Sequence, residues 1–144
     1  MAKITVPSLS ENKKAGLKKF GLEFVESLTV EEFEHIIGEY LDRHNVLHLA
    51  TSRNNQPRCT TLEYFNNGLT VYILSEGGVK IGNIKGNPAV SYTIADPYHP
   101  ETDFFSAAGL QVFGTATVFK KNDDPERFAE IYTFFPNRAG LKKQ

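Results

Sequence analysis

The chain of 144 residues holds no tryptophan, one cysteine and one methionine. Each scarcity excludes something. A single thiol, Cys59, forms no internal disulfide, so the fold must stand on its hydrophobic core, and the chain suits a reducing, cytoplasmic setting. The four histidines are spread over different segments, and His44 and His48, four apart, are separated by a helix end, which argues against a zinc or iron site. Charge of one sign is missing too. A formal net charge of −1 supplies no broad attraction for nucleic acid or an anionic membrane. No apolar run is long enough to span a bilayer, and the first residues lack the basic-then-apolar order of a secretory signal. There is no Gly-x-Ser-x-Gly elbow for a serine nucleophile, and Gly77-Gly78-Val79-Lys80 lacks the Gly-Lys-Ser/Thr of a P-loop.

What is present describes an ordinary globular domain, 40% hydrophobic and 23% charged. Leu17, Phe20, Phe24 and Leu28 recur at helical spacing, so residues 1–28 read as a helical N-terminal extension with Lys13, Lys14, Lys18 and Lys19 on its solvated face. Ile4–Val6 could add a short edge strand. Thr29-Val-Glu-Glu32 is a capping box, and Phe33, Ile36, Ile37, Tyr40 and Leu41 form one apolar stripe behind it. Val46–Thr51, Arg58–Phe65 and Leu69–Ser75 have strand character, joined by turn chemistry at Asn54–Pro57 and Asn66–Gly68, which implies an antiparallel meander. Ala89–Ala95 and Leu110–Phe119 are two more strands, with Gly114 marking a bulge or close approach. Asp124-Pro125 opens a last helix that buries Phe128, Ile131, Tyr132 and Phe135 and stops at Pro136. Residues 29–136 thus form the domain, and 137–144 a polar tail. The sum is a mainly β fold, a small antiparallel barrel with flanking helices.

The stretch Ser75–Asp96 carries the chemistry. It follows a strand, offers Ser75, two glycines and Lys80, continues as a short helix, and halts at Asn87-Pro88. Small residues let a backbone approach a ligand, and Ser75 and Lys80 donate to anions. Arg58 begins the strand that the Asn66–Gly68 hairpin folds against the one ending at Ser75. Two cations and a hydroxyl near one place suit a phosphate; solvated strand-end cations are the plainer alternative. Cys59, inside a strand, reads as a small half-buried thiol.

Several of these segments, in order, resemble the FMN-binding split barrel of the pyridoxamine 5'-phosphate oxidase-like family. They are Val46-Leu-His-Leu-Ala-Thr51, Gln56-Pro-Arg-Cys-Thr-Thr61, Val71-Tyr-Ile-Leu-Ser75, Lys80-Ile-Gly-Asn83, Asn87-Pro-Ala-Val90 and Gln111-Val-Phe-Gly-Thr-Ala116. The resemblance implies a six-stranded antiparallel split barrel of Greek-key type and a homodimer with FMN at the subunit interface. It implies that Arg58 and Lys80 bind the FMN phosphate with help from Ser75. The strand Cys59-Thr60-Thr61 would run along the isoalloxazine ring and offer backbone groups to it. Ile73 and Leu74 would contact the cofactor, Asn83 is a further candidate, and Gln111 would reach the flavin from the other subunit.

Departures narrow the function. Val79 and Leu74 replace a basic and a hydroxyl residue of the oxidase. Glu63 stands where the oxidase has a lysine for its substrate phosphate, and the C-terminal Arg-x-His motif is absent. The chain is therefore expected to be an FMN-binding oxidoreductase or electron-transfer protein, not the oxidase itself. The alternatives are a deazaflavin-dependent reductase and a non-catalytic flavin- or haem-binding module, the latter resting on His99. Tyr98, His99 and Phe104, in the loop Pro97–Ala108, are the candidate cover of the flavin.

Overall fold

A computed structural model describes residues 2–135; Pro136 and the polar tail at 137–144 lie outside the described residues. The first helix, α1 (Glu11–Lys19), is capped by Ser10, whose hydroxyl accepts from Lys13 N. It ends earlier than the apolar spacing predicts. Gly21 adopts φ +68°, and Gly21 N donates to Lys18 O while Leu22 N donates to Leu17 O, both at 3.0 Å. That paired termination needs a residue free to enter the left-handed region, and it outweighs the periodicity that runs on to Leu28. Ile4–Val6 form no strand.

Helix α2 (Val30–Arg43) starts as its capping box dictates, with Glu32 N donating to Thr29 Oγ1 at 3.1 Å and Thr29 N to Glu32 Oε2 at 2.8 Å. Strands β1 (Val46–Arg53) and β2 (Gln56–Glu63) follow as a hairpin. Its two-residue turn, Asn54-Asn55, has φ of +50° and +61°, the mirror-image turn that matches strand twist and that asparagine tolerates. Tyr64 then leaves the ladder for the core, and the short hairpin β3 (Phe65–Asn67) with β4 (Thr70–Tyr72) forms a separate two-stranded sheet. The expected strand Leu69–Ser75 is thus cut to three residues, and Ile73, Leu74 and Ser75 lead into α3 (Val79–Gly86) as irregular chain.

Strand β5 (Ala89–Ala95) returns beside β1, and β6 (Gly109–Thr115) pairs with β5. The four-stranded antiparallel sheet has the order β2-β1-β5-β6. Gly114 pairs in register with Val90, so no bulge forms there. Helix α4 (Pro125–Tyr132) begins at Asp124, whose carboxylate accepts from Arg127 N at 3.1 Å. Among the described residues the strands divide four and two rather than closing into one six-stranded barrel. No helix of the described residues is long and apolar enough to cross a membrane.

Register sorts the side chains, because directly paired residues share a face. Leu47, Leu49, Leu62, Tyr92, Ile94 and Leu110 face inward and meet Tyr40 and Leu41 of α2 and Ile84 of α3. Burying each of the fully enclosed aliphatic chains, Leu41, Leu47, Leu49, Ile84 and Ile94, stabilises the fold by about 1.5–3 kcal/mol. Tyr64 is 2% exposed, and its hydroxyl donates to Leu41 O at 2.7 Å, closing the end of α2 onto the core. The opposite face is bare. Its rows across the strands read Glu63–Val46, then Thr61–His48–Thr93–Gln111, then Cys59–Ala50–Ser91–Phe113. Phe113 there is 75% exposed.

Candidate functional site

The turn before α3 is built from glycine. Gly77 (φ +118°) and Gly78 (φ +93°) both lie where L side chains are strained, and their backbone swings the chain from β4 into the helix. Ser75 Oγ accepts from Gly77 N at 3.2 Å and donates to Gly77 O at 3.3 Å. Lys80 Nζ donates to the same carbonyl at 3.0 Å. Ser75 and Lys80 therefore meet at one corner, the N-terminus of α3. Gly78 caps that helix without a side-chain hydrogen bond. Free N–H groups at a helix start attract anions, and Lys80 adds a full positive charge.

Arg58 lies on the inner face of the sheet. It pairs with Thr51, so both side chains leave the same face. Thr51 is buried, and its hydroxyl accepts from Asn83 Nδ2 at 3.1 Å. Asn83 lies one helical turn after Lys80, on the same side of α3. Thr51 thus has Arg58 across from it on β2 and Asn83 of α3 bonded to it, and Lys80 lies one turn before Asn83. Asn83 is buried, and its amide is engaged in tying α3 to β1. Arg53, whose guanidinium lies against Gly86, secures the other end of the helix; a Cβ at Gly86 would come within 2.7 Å of Arg53 Nε.

The remaining expected residues divide between two faces. Thr60 pairs with Leu49 and faces inward, as Arg58 does, whereas Cys59 and Thr61 face outward. Both sets are reachable from one place because β2 is an edge strand of its sheet. Such an edge presents a row of backbone N–H and C=O groups that no neighbouring strand of the sheet takes up. Gln111 shares the outward row with Thr61 but lies three strands away on β6. Ile73 is half-buried against the core, and Leu74 is 38% exposed beside Ser75.

In the loop 97–108, Tyr98 OH donates to Phe104 O at 3.0 Å, Phe104 packs on Phe105, and Phe105 contacts Phe20 after α1 at 5.3 Å between ring centroids. His99 is exposed, with its Nδ1 3.3 Å from Glu101 Oε1. Among the described residues no group of three or more His, Cys, Asp and Glu could hold a metal ion. One residue escaped the sequence reading. His48, treated there only as a histidine off the helix, sits beside Thr61 with its Nδ1 2.9 Å from Thr61 Oγ1. The alternation of β1, Leu47 and Leu49 inward and His48 outward, is the signal that could have found it.

Comparison with known proteins agrees with this architecture. A candidate pyridoxamine 5'-phosphate oxidase from Listeria innocua superposes with a TM-score of 0.53 at 23% identity, covering 76% of this chain and 86% of its own. HutZ, the haem storage protein of Vibrio cholerae, gives a TM-score of 0.50 at 22% identity, covering 69% of this chain and 78% of its own. No curated protein matches. At such identities these likenesses speak for the fold alone. The model of the family described as pyridoxamine 5'-phosphate oxidase matches residues 33–142, from the apolar stripe of α2 past the end of α4, and the chain belongs to that oxidase-like family.

Proposed function

We propose that the protein is an FMN-dependent oxidoreductase or flavin electron carrier. In this reading it works as a homodimer of split barrels with one cofactor in each of two interface sites. The observation that carries it is the corner where Ser75 and Lys80 meet on Gly77 O at the start of α3, with Arg58 on the same side of the sheet. The donor set fits a phosphate monoester: a guanidinium, an ammonium, a hydroxyl and helix-start N–H groups, with open space over Gly77 and Gly78. Arg58, Ser75 and Lys80 would hold the phosphate. The edge of β2 at Cys59, Thr60 and Thr61 would lie along the ring, with Ile73 and Leu74 beside it and Gln111 arriving from the second copy. Bound there, FMN would supply one- or two-electron chemistry, while the chain supplies binding, orientation and electrostatic tuning.

The bare outer face supports the dimer. Phe113 and Val46, 75% and 43% exposed, stand on a sheet face that no described element covers, and a second copy would bury them. Glu63 on that face disfavours a substrate with its own phosphate and favours a neutral or cationic one. FMN is preferred over haem because the corner suits a dianion and because His99 is an exposed partner of Glu101. Lone Cys59 is in keeping with a cytoplasmic location.

Titration of FMN into the purified protein, followed by flavin fluorescence, tests the reading. Arg58→Glu and Lys80→Glu should each weaken binding by roughly 10–150-fold, the worth of one charge-assisted bond or more. A wild-type protein that takes up no FMN, or charge reversals that leave its affinity unchanged, would refute it. The same titration with a deazaflavin separates the two cofactors.

A further inference from the structure

The outward row Thr61–His48–Thr93–Gln111 crosses all four strands, and His48 is its one ionisable member. His48 is held rather than free: its Nδ1 lies 2.9 Å from Thr61 Oγ1, a side chain on the edge strand β2. Adjacent strands are about 4.8 Å apart, so His48 stands one strand inward from that edge. A flat ring lying along β2 at Thr61 would have this imidazole about one strand spacing away.

We propose that His48 is the charge-tuning residue of the cofactor site, setting the reduction potential of the bound flavin according to pH. The inference rests on the FMN reading and adds to it a residue and a regulation. Two-electron reduction of a neutral oxidised flavin with uptake of one proton leaves a negative charge on the ring. An imidazolium beside Thr61 stabilises that product, and a neutral imidazole does not. The other ionisable groups facing His48 from neighbouring rows are Glu63 and Cys59, both on β2; Thr93 and Gln111 on β5 and β6 are polar and uncharged. Glu63 is unchanged in every variant compared, so its contribution is common to all of them. Thr61 has a positioning role, since its hydroxyl fixes the ring of His48 next to the edge.

The test compares midpoint potentials of the FMN-loaded wild type, His48→Gln and His48→Lys between about pH 5.5 and 8.5, the interval over which imidazole changes charge. Potentials are read by dithionite titration against a redox dye, and FMN affinity is measured in parallel. His48 is exposed, so all three proteins should fold alike. Expected at the acid end is a wild-type oxidised-to-reduced equilibrium at least tenfold more favourable to reduction than in His48→Gln. That is about 30 mV for a two-electron couple. The gap should close at the alkaline end, and His48→Lys should keep the high potential throughout. Curves for wild type and His48→Gln that run parallel, with FMN bound normally, overturn the inference and leave the FMN reading standing. Failure of every protein to bind FMN overturns both.

Discussion

Removing the amide of Asn83 separates two roles that the sequence alone leaves merged. Asn83 is 9% exposed and Thr51 3% exposed, and the one hydrogen bond between them, 3.1 Å long, joins α3 to β1. In Asn83→Ala the Thr51 hydroxyl stays buried and loses its partner, which costs about 1–3 kcal/mol. Taking 2 kcal/mol, a domain of this size should lose roughly 6–10 °C in Tm. Thr51→Val removes the other half of the pair at similar volume. The double variant should then be less destabilised than the sum of the singles, by about 1 kcal/mol. Thermal unfolding followed by circular dichroism measures all three. FMN titration on the same samples should show a modest loss, because α3 still presents Lys80 though less rigidly. Asn83→Ala with an unchanged Tm, no coupling to Thr51 and abolished FMN binding would refute the scaffolding role and make Asn83 a direct ligand contact.

Three further outcomes are expected. Tyr64→Phe should cost about 1–2 kcal/mol in urea unfolding, because Leu41 O loses a buried donor; burial pushes that hydroxyl up to about 12, so it donates as a neutral group across the working range. Asp96 accepts from Tyr40 OH at 3.0 Å and His44 Nε2 at 2.6 Å, and these bonds, the tyrosine's first, hold its carboxyl below the ordinary 3.8. A folded value below the unfolded one contributes stability above about pH 4 and loses it as pH falls further, so the stability gap between wild type and Asp96→Asn should shrink in acid titrations. Gly78→Ala should destabilise by about 1–3 kcal/mol, since φ +93° strains any L side chain even with open space around it; a neutral effect on Tm would show that the turn relaxes at no cost.

Local signals were legible where the chemistry is local. Thr29 and Glu32 announce α2 because both halves of the capping box lie within four residues, and Asn54-Asn55 announces the β1–β2 turn because few other residues accept its dihedrals. Periodicity misled at Leu17–Leu28, where one glycine able to reverse the chain outweighed the apolar repeat. It misled again at Leu69–Ser75, where strand-forming residues lie beyond the point at which Tyr64 has already turned away from its sheet. The anion corner was legible in part, since Ser75, Gly77 and Lys80 are neighbours in sequence. The division of β2 into an inward Arg58 and an outward Thr61 was not, because it depends on register with β1, a strand that has its own alternation to satisfy. His48 belongs to the same class: its importance comes from what lies across from it.

The two halves of the proposed site therefore differ in how they are maintained. The Ser75–Lys80 part of the phosphate corner is a local object, a glycine turn and one helix start, and should survive most changes elsewhere in the chain, whereas Arg58 depends on the pairing of β2 with β1. The ring-facing half is made by pairing: Thr61, His48 and Thr93 come into line only because β2, β1 and β5 hold one register. A one-residue slip of β2 would send Thr61 inward and Thr60 outward while leaving Lys80 untouched. What prevents the slip is the inward set, since Leu62 opposite Leu47 and Thr60 opposite Leu49 lock β2 by burying the apolar side. The hydrophobic core thus acts on the chemistry at one remove: the leucines of β1 decide which side chains the outer face offers, and the outer face decides which charge the flavin would meet.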